Sequence, residues 1–328
     1  MQSTYKVAVN LEWTSKCNAR CIMCPQDKIE HPQLMTADTF YKVLERINTD
    51  DVFRTVIAGY GEPTTHPRFM EFVSAIGDHP GRFDMVSNGQ LLDEKKLRHL
   101  DGKINLLVVS FSSIDADVYR SVHVKLDHEK VKANIILARQ VLKKTSLAIS
   151  LTPLVECIKT LPETIRWLHK QGIEQLTMSP TLYNRAGTVE QHKHATERLR
   201  EIIRTYHLHS QELDFIPSVK DFVLQFWHNR FRCIPRNSDL FITASGDYLY
   251  CYNDISHKQT FGHIDQLSIR TALNMRENMK AIPEICGNCN MRNRYKMGEV
   301  TSVAAHYLYG KARKFVMQET SAGRINEA

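Results

Sequence analysis

Residues 7–25 read Val7-Ala-Val-Asn-Leu-Glu-Trp13-Thr-Ser-Lys-Cys17-Asn-Ala-Arg-Cys21-Ile-Met-Cys24-Pro25. Val7, Val9, Leu11 and Trp13 alternate with mostly polar residues, the period of a β-strand, and a cysteine-rich loop follows. Cys17, Cys21 and Cys24 place three thiols within eight residues. Three thiolates so close together can wrap one metal ion or small cluster. Iron–sulfur clusters are held by cysteine thiolates, usually four. A three-cysteine loop leaves one iron without a protein ligand, and that points to catalysis rather than electron storage. Spacing alone also permits a zinc site with a distant fourth ligand.

Outward from this loop the chain alternates helix-like and strand-like segments. Phe40, Val43, Leu44 and Ile47 have the i, i+3, i+4, i+7 spacing of one helix face, and Phe69, Phe72, Val73 and Ile76 repeat it. Strands are predicted over 53–58, 82–86, 104–111, 147–154 and 175–178. Helices are predicted over 93–100, 128–144 and 162–171. Residues 104–111 form a nearly continuous apolar run, typical of a strand buried on both faces. Six β-α units imply parallel strands with helical crossovers. The expected fold is α/β: a partial (β/α)6 barrel of the TIM type with a small C-terminal α+β module. In such barrels chemistry sits at the C-terminal ends of the strands, where the cysteine loop lies. The expected boundaries are 1–189 for the barrel, 190–232 for a helical bridge, 233–295 for the second module and 296–328 for a helical tail, with a final helix over 302–318.

Cys-x3-Cys-x2-Cys after the first strand of a β-α barrel resembles the signature of radical S-adenosylmethionine (SAM) enzymes. Met23 stands where that family usually has an aromatic residue, as in branches reading C-x-M-C-P. The resemblance implies a [4Fe–4S] cluster on Cys17, Cys21 and Cys24. Its open iron would bind the amino and carboxylate groups of SAM and support cleavage to a 5′-deoxyadenosyl radical. Further segments fall where the family needs them. Ala58-Gly59-Tyr60-Gly61-Glu62-Pro63 follows the second strand and resembles the family's G-G-E-P segment. Glycines there allow close backbone approach, and Glu62 can accept from the SAM ammonium or cap the next helix. Ser87-Asn88-Gly89 resembles the S/T-N-G turn after the third strand. Ser110, Ser112 and Ser113 end the fourth strand, where ribose or carboxylate contacts are common. Arg120 can pair with the SAM carboxylate or stand on the surface.

A second constellation reads Cys233-x12-Gly246-x4-Cys251, then Cys286-Gly-Asn-Cys289 after 34 residues. Ala-Ser-Gly-Asp between strand-like 240–242 and 248–250 is a hairpin signal. By spacing, four thiols here suit a second [4Fe–4S] cluster or a zinc knuckle equally. The pattern resembles the SPASM and twitch extensions that follow radical SAM barrels. No cysteine follows Cys289, so the resemblance implies one auxiliary cluster, as in the twitch-like version. Asn184-Arg185-Ala186-Gly187 resembles a segment common in SPASM-type proteins. The likeness covers roughly residues 5–295.

Cys157 stands alone just past the fifth strand. It reads as a buried small apolar residue or as the hydrogen-atom donor used by some radical SAM epimerases. Glu156 beside it, and Asp254 near Cys251, Tyr250 and Tyr252, are acid–base candidates. Asp254 suits a turn cap equally. His192 and His194 read as surface residues.

The net charge of +7 comes from scattered basic residues, so nucleic acid is disfavoured as a partner. No apolar run reaches the ~18–20 residues of a membrane span, and the N-terminus lacks a signal-peptide pattern. A cytoplasmic location is expected. Clustered cysteines then indicate metal binding or catalysis rather than disulfides. The implied partners are a small-molecule or peptide substrate and a flavodoxin- or ferredoxin-type electron donor. The early start of the first strand leaves no room for an N-terminal leader-binding domain and favours a sugar, aminocyclitol or nucleoside. The expected outcome is oxidation, with epimerisation or bond formation as alternatives. A zinc-binding interaction protein with two cysteine sites is the alternative of another class.

Overall fold

The computed structural model describes residues 6–152, 154–178, 193–210, 239–251, 253–254, 257–287, 289, 301 and 305. Seven strands run through the first part of the chain: β1 (Val7–Leu11), β2 (Val52–Ile57), β3 (Phe83–Ser87), β4 (Leu106–Ser110), β5 (Ser146–Leu151), β6 (Leu176–Met178) and the short β7 (His209–Ser210). They are parallel and adjacent in sequence order. The crossovers carry α1 (Ala37–Arg46), α2 (Phe69–Gly77), α3 (Glu94–Leu100), α4 (Ala116–Val122), α5 (His128–Val141), α6 (Val155–Ile158), α7 (Leu161–Lys170) and α8 (Lys193–Thr205). The sheet ends on β7 without closing, as expected of a partial barrel.

Local chemistry sets where the helices begin. Thr36, Asp93, Asp115 and Asp127 each precede a helix and accept from a backbone amide of its first turn, a cap worth ~1 kcal/mol. Their apolar faces cover one side of the sheet. There Val7, Val9, Leu11, Ile57, Phe83, Met85, Leu107 and Val109 join one core cluster with Phe40, Val43, Phe72, Leu97 and Ile135. The base of the cysteine loop is fixed in this core. Trp13 meets Phe40 and Phe72 edge-on at 5.9 and 5.4 Å, and those two rings stack at 3.8 Å.

The other face of the sheet carries the alternate residues of each strand. Register places Ala8, Arg54 and Asp239 in one row and Asn10, Val56, Asp84, Leu106 and Phe241 in the next. In β4, Leu107 and Val109 are buried while Leu106, Val108 and Ser110 are half-buried. The expected burial of this strand on both faces is therefore corrected: among the described residues the helices pack on one face of β4, and its other face is half-buried.

The C-terminal strands β8 (Asp239–Ile242), β9 (Asp247–Leu249) and β10 (Thr260–His263) continue the same sheet. β8 lies parallel to β1, and β9 and β10 follow antiparallel. Gly246 turns the expected β8–β9 hairpin at φ +93°, a conformation open to glycine. Then come α9 (Ile269–Asn278) and α10 (Pro283–Cys286). Buried Arg276 of α9 donates to the Asp239 carbonyl, and Asn10 donates to the Asp239 carboxylate. Arg270 donates to Asp51 at 2.6 Å, and Lys42 pairs with Asp265 at 3.1 Å. Of the 190–232 bridge, α8 and β7 are described. Nearly all of the tail lies outside the described residues, as do Cys233, Tyr252, His192 and Asn184–Gly187. No helix among the described residues is long and apolar enough to cross a membrane.

Candidate radical SAM site

The three cysteines lie in the loop after β1, on the rim at the C-terminal ends of the parallel strands, and all three are half-buried. The Cys24 amide donates to the Cys21 carbonyl at 3.0 Å, closing a tight turn. The Arg20 and Ile22 amides donate to the carbonyls of Val124 and Val122 at 2.9 and 3.0 Å, tying the loop to the end of α4. Gln26 is buried, donates to the Ser15 carbonyl at 3.3 Å and accepts from Arg20. Burial pushes the Cys17 thiol up to about 11, and the charges of Glu62 and Cys24 add to this. As they stand, no three Cys, His, Asp or Glu side chains among the described residues converge on a metal-sized point. The donor set still fits a cluster: three soft thiolates on one loop, which bind once a metal displaces their protons.

Glu62 organises the rim behind this loop. It is buried, and its carboxylate accepts from the Thr64 amide and hydroxyl at 3.2 and 2.5 Å, from the Ser87 hydroxyl at 2.8 Å and from the Asn88 amide at 2.7 Å. Burial raises its pKa and these hydrogen bonds oppose the rise. Glu62 caps the 3-10 turn Pro63–Thr65 and also ties the β2 loop to the β3 loop. Asn88 then donates to Asn18, inside the cysteine loop, at 2.7 Å. Gly61 is obligatory here, because a Cβ would overlap the Thr14 and Lys16 carbonyls. A Cβ on Gly59 would fall 2.6 Å from Glu12.

A model of the radical SAM superfamily matches residues 11–168, the span that carries these loops. That span carries a radical SAM domain. It is 31% identical over 182 residues to the tungsten-containing aldehyde ferredoxin oxidoreductase cofactor-modifying protein of Pyrococcus furiosus, a match covering 52% of this chain and 51% of that one. The chain thus spans about half the length of this curated relative. Among solved structures it is similar to Streptococcus suis SuiB bound to the precursor peptide SuiA, with TM-score 0.68 at 13% identity, over 88% of this chain and 70% of that one. It is also similar to anSMEcpe with bound AdoMet, with TM-score 0.62 at 12% identity, over 97% and 96% of the two chains. These two likenesses concern the fold.

The remaining rim candidates divide. Ser110 is half-buried on the face away from the helices. Ser112 is fully buried and committed to His123 at 2.7 Å. Ser113 donates to Thr160 at 2.8 Å and caps the Asp115 amide at 3.1 Å. Arg120 is exposed on α4 and paired with Asp117. Cys157 is wholly buried, and its thiol is pushed up to about 12 by burial, then by Glu156. Glu156 itself faces solvent.

In the second constellation the structure describes Cys251, Cys286 and Cys289. Asn253 joins two of them: its amide N–H donates to the Cys251 sulfur at 3.4 Å, and its side chain donates to the Cys289 sulfur at 3.6 Å. The Tyr250 hydroxyl lies 3.7 Å from the Cys286 sulfur. Asp254 is buried, and its carboxylate accepts from the Gln259 amide at 2.6 Å, so it caps a turn.

Two residues escape sequence reasoning. Glu12 ends β1, is buried, and is held by the Tyr60 amide at 2.8 Å and the Ala244 amide. Desolvation lifts its pKa to about 7. Its one signal is a carboxylate in an apolar strand. His123 lies 102 residues from Cys21 in sequence, and nothing local marks it.

Proposed function

We propose that this chain is a radical SAM enzyme that carries one auxiliary [4Fe–4S] cluster and oxidises a small molecule. The observation that supports it best is the frame around Cys17, Cys21 and Cys24. The three thiols share one rim loop, and the loops after β2 and β3 are locked to it through Glu62, Asn88 and Asn18. Cys17, Cys21 and Cys24 would hold a four-iron cluster, which when bound would supply the electron for reductive cleavage of SAM and so for removal of a hydrogen atom from the substrate. The protein's part is to position and to exclude water. Gly59 and Gly61 let the β2 loop pack against Glu12 and against the Thr14 and Lys16 carbonyls at the base of the cysteine loop. The half-buried Ser110 and Asn88 face the same rim as polar contacts for SAM.

Cys251, Cys286 and Cys289, with Cys233 as fourth ligand, would hold the auxiliary cluster. Four thiolates leave no open iron, so the cluster would take up the electron left on an oxidised substrate. The face of the sheet away from the helices supports a small substrate with both polar and apolar parts, since Arg54, Ser110 and Ser150 share it with Leu106 and Val108. A peptide substrate is the second reading, supported by the SuiB fold, whose structure holds a precursor peptide.

The test is anaerobic. Reconstituted protein is reduced in the presence of SAM and assayed for 5′-deoxyadenosine. Each deuterated candidate substrate is then added, and deuterium is sought in that product. Deuterium transfer from a sugar, aminocyclitol or nucleoside supports the reading, and transfer only from a peptide replaces the substrate class. A colourless protein with about two zincs and no 5′-deoxyadenosine sinks it.

A further inference from the structure

We infer that His123 is a positioning residue of the SAM-binding cluster: it donates its Nδ1–H to the Cys21 sulfur, held in that tautomer by Ser112. The inference rests on Cys21 being a cluster ligand, as proposed above.

The geometry is specific. The Nδ1 atom of His123 lies 3.4 Å from the Cys21 sulfur, and its Nε2 lies 2.7 Å from the Ser112 hydroxyl. Both His123 and Ser112 are buried. The backbone holds the pair in register. His123 stands between Val122 and Val124, whose carbonyls accept from Ile22 and Arg20, the residues flanking Cys21. Side-chain and main-chain bonds therefore grip the same three loop residues.

Tautomer choice follows from the acceptor. An iron-bound thiolate carries no proton and can only accept, so the hydrogen must sit on Nδ1. Nε2 is then the acceptor and takes the Ser112 hydroxyl proton. The donors run in one direction, from Ser112 through His123 to Cys21, with no conflict along the line. That supplies a reason for a buried serine on the rim beyond filling space.

The consequence is electronic. Hydrogen bonds to cluster sulfurs help set the reduction potential, and partners behind the ligands tune a metal site. A donor to Cys21 stabilises the more negative, reduced cluster and so makes it easier to reduce.

The experiment is a redox titration of the full chain with both sites loaded, following the electron paramagnetic resonance signal whose shape changes when SAM is added. In His123→Leu the reduced-to-oxidised ratio at fixed potential should fall about tenfold, a midpoint ~59 mV more negative for one electron. His123→Asn, whose amide nitrogen overlays Nδ1, should restore most of the shift. His123→Gln, whose amide reaches towards Ser112 instead, should not. If His123→Leu fails to retain iron, the Asn and Gln variants decide, and equal midpoints in those two overturn the inference. Wild-type midpoints in all loaded variants overturn it alone. A wild type that takes up zinc and no cluster overturns the radical SAM reading as well.

Discussion

The two cysteine constellations are built differently. The first sits in one short loop, and its supports arrive from successive strand ends of a parallel sheet. The β2 loop supplies Glu62 and Gly61, the β3 loop supplies Asn88, and the chain beyond β4 supplies His123. The second gathers cysteines from a hairpin end and a short distant helix, with Asn253 and Tyr250 between them. A parallel sheet lines up its loops on one rim whatever their sequence separation. An antiparallel extension has no such rim, so its site depends on where the chain happens to return.

This contrast predicts separable sites. Replacing Cys17, Cys21 and Cys24 with Ala should remove about four of eight irons and all 5′-deoxyadenosine formation. Replacing Cys286 and Cys289 should remove the other four and leave SAM cleavage in place. Iron analysis with product assay checks both, and loss of all eight irons in either variant would break the distinction.

The rim frame sharpens it. Gly61→Ala drives a Cβ into the Thr14 and Lys16 carbonyls. It should destabilise the protein by ~2–4 kcal/mol in urea and lower iron at the first site more than at the second.

Glu12 tests the seam between the regions, since it joins the β2 loop to the turn after β8. Its folded pKa of about 7 lies above the ordinary 4.5. The folded protein thus binds this proton more tightly than the unfolded chain. Stability is greatest below about 4.5 and declines as pH rises through about 7. Glu12→Gln should flatten that decline and gain on the order of 2 kcal/mol at pH 8 relative to wild type, read from thermal or urea unfolding at pH 5.5 and 8.

The smallest effect is expected at Arg120, exposed and paired within its own helix. Arg120→Ala should change stability by less than ~0.5 kcal/mol and leave SAM binding unchanged in equilibrium dialysis. A large loss of SAM affinity would return Arg120 to the site.

The sequence by itself determined the parallel β-α order, the rim position of Cys17, Cys21 and Cys24, and the hairpin before Cys251. These follow from short-range period and turn chemistry, which a linear reading can see. Helices α4 and α9 left weaker periodic signals, and β7 is too short for one. Only the tertiary structure decided that β8 joins β1 to continue the barrel sheet, because strand partners are chosen across the chain. It also turned Glu62 from an isolated carboxylate into a clamp on two loops, and Ser112 from a rim hydroxyl into a buried link to His123. Such roles come from burial. A polar group removed from water must find partners, and those partners are set by what the fold brings near rather than by what is adjacent in sequence.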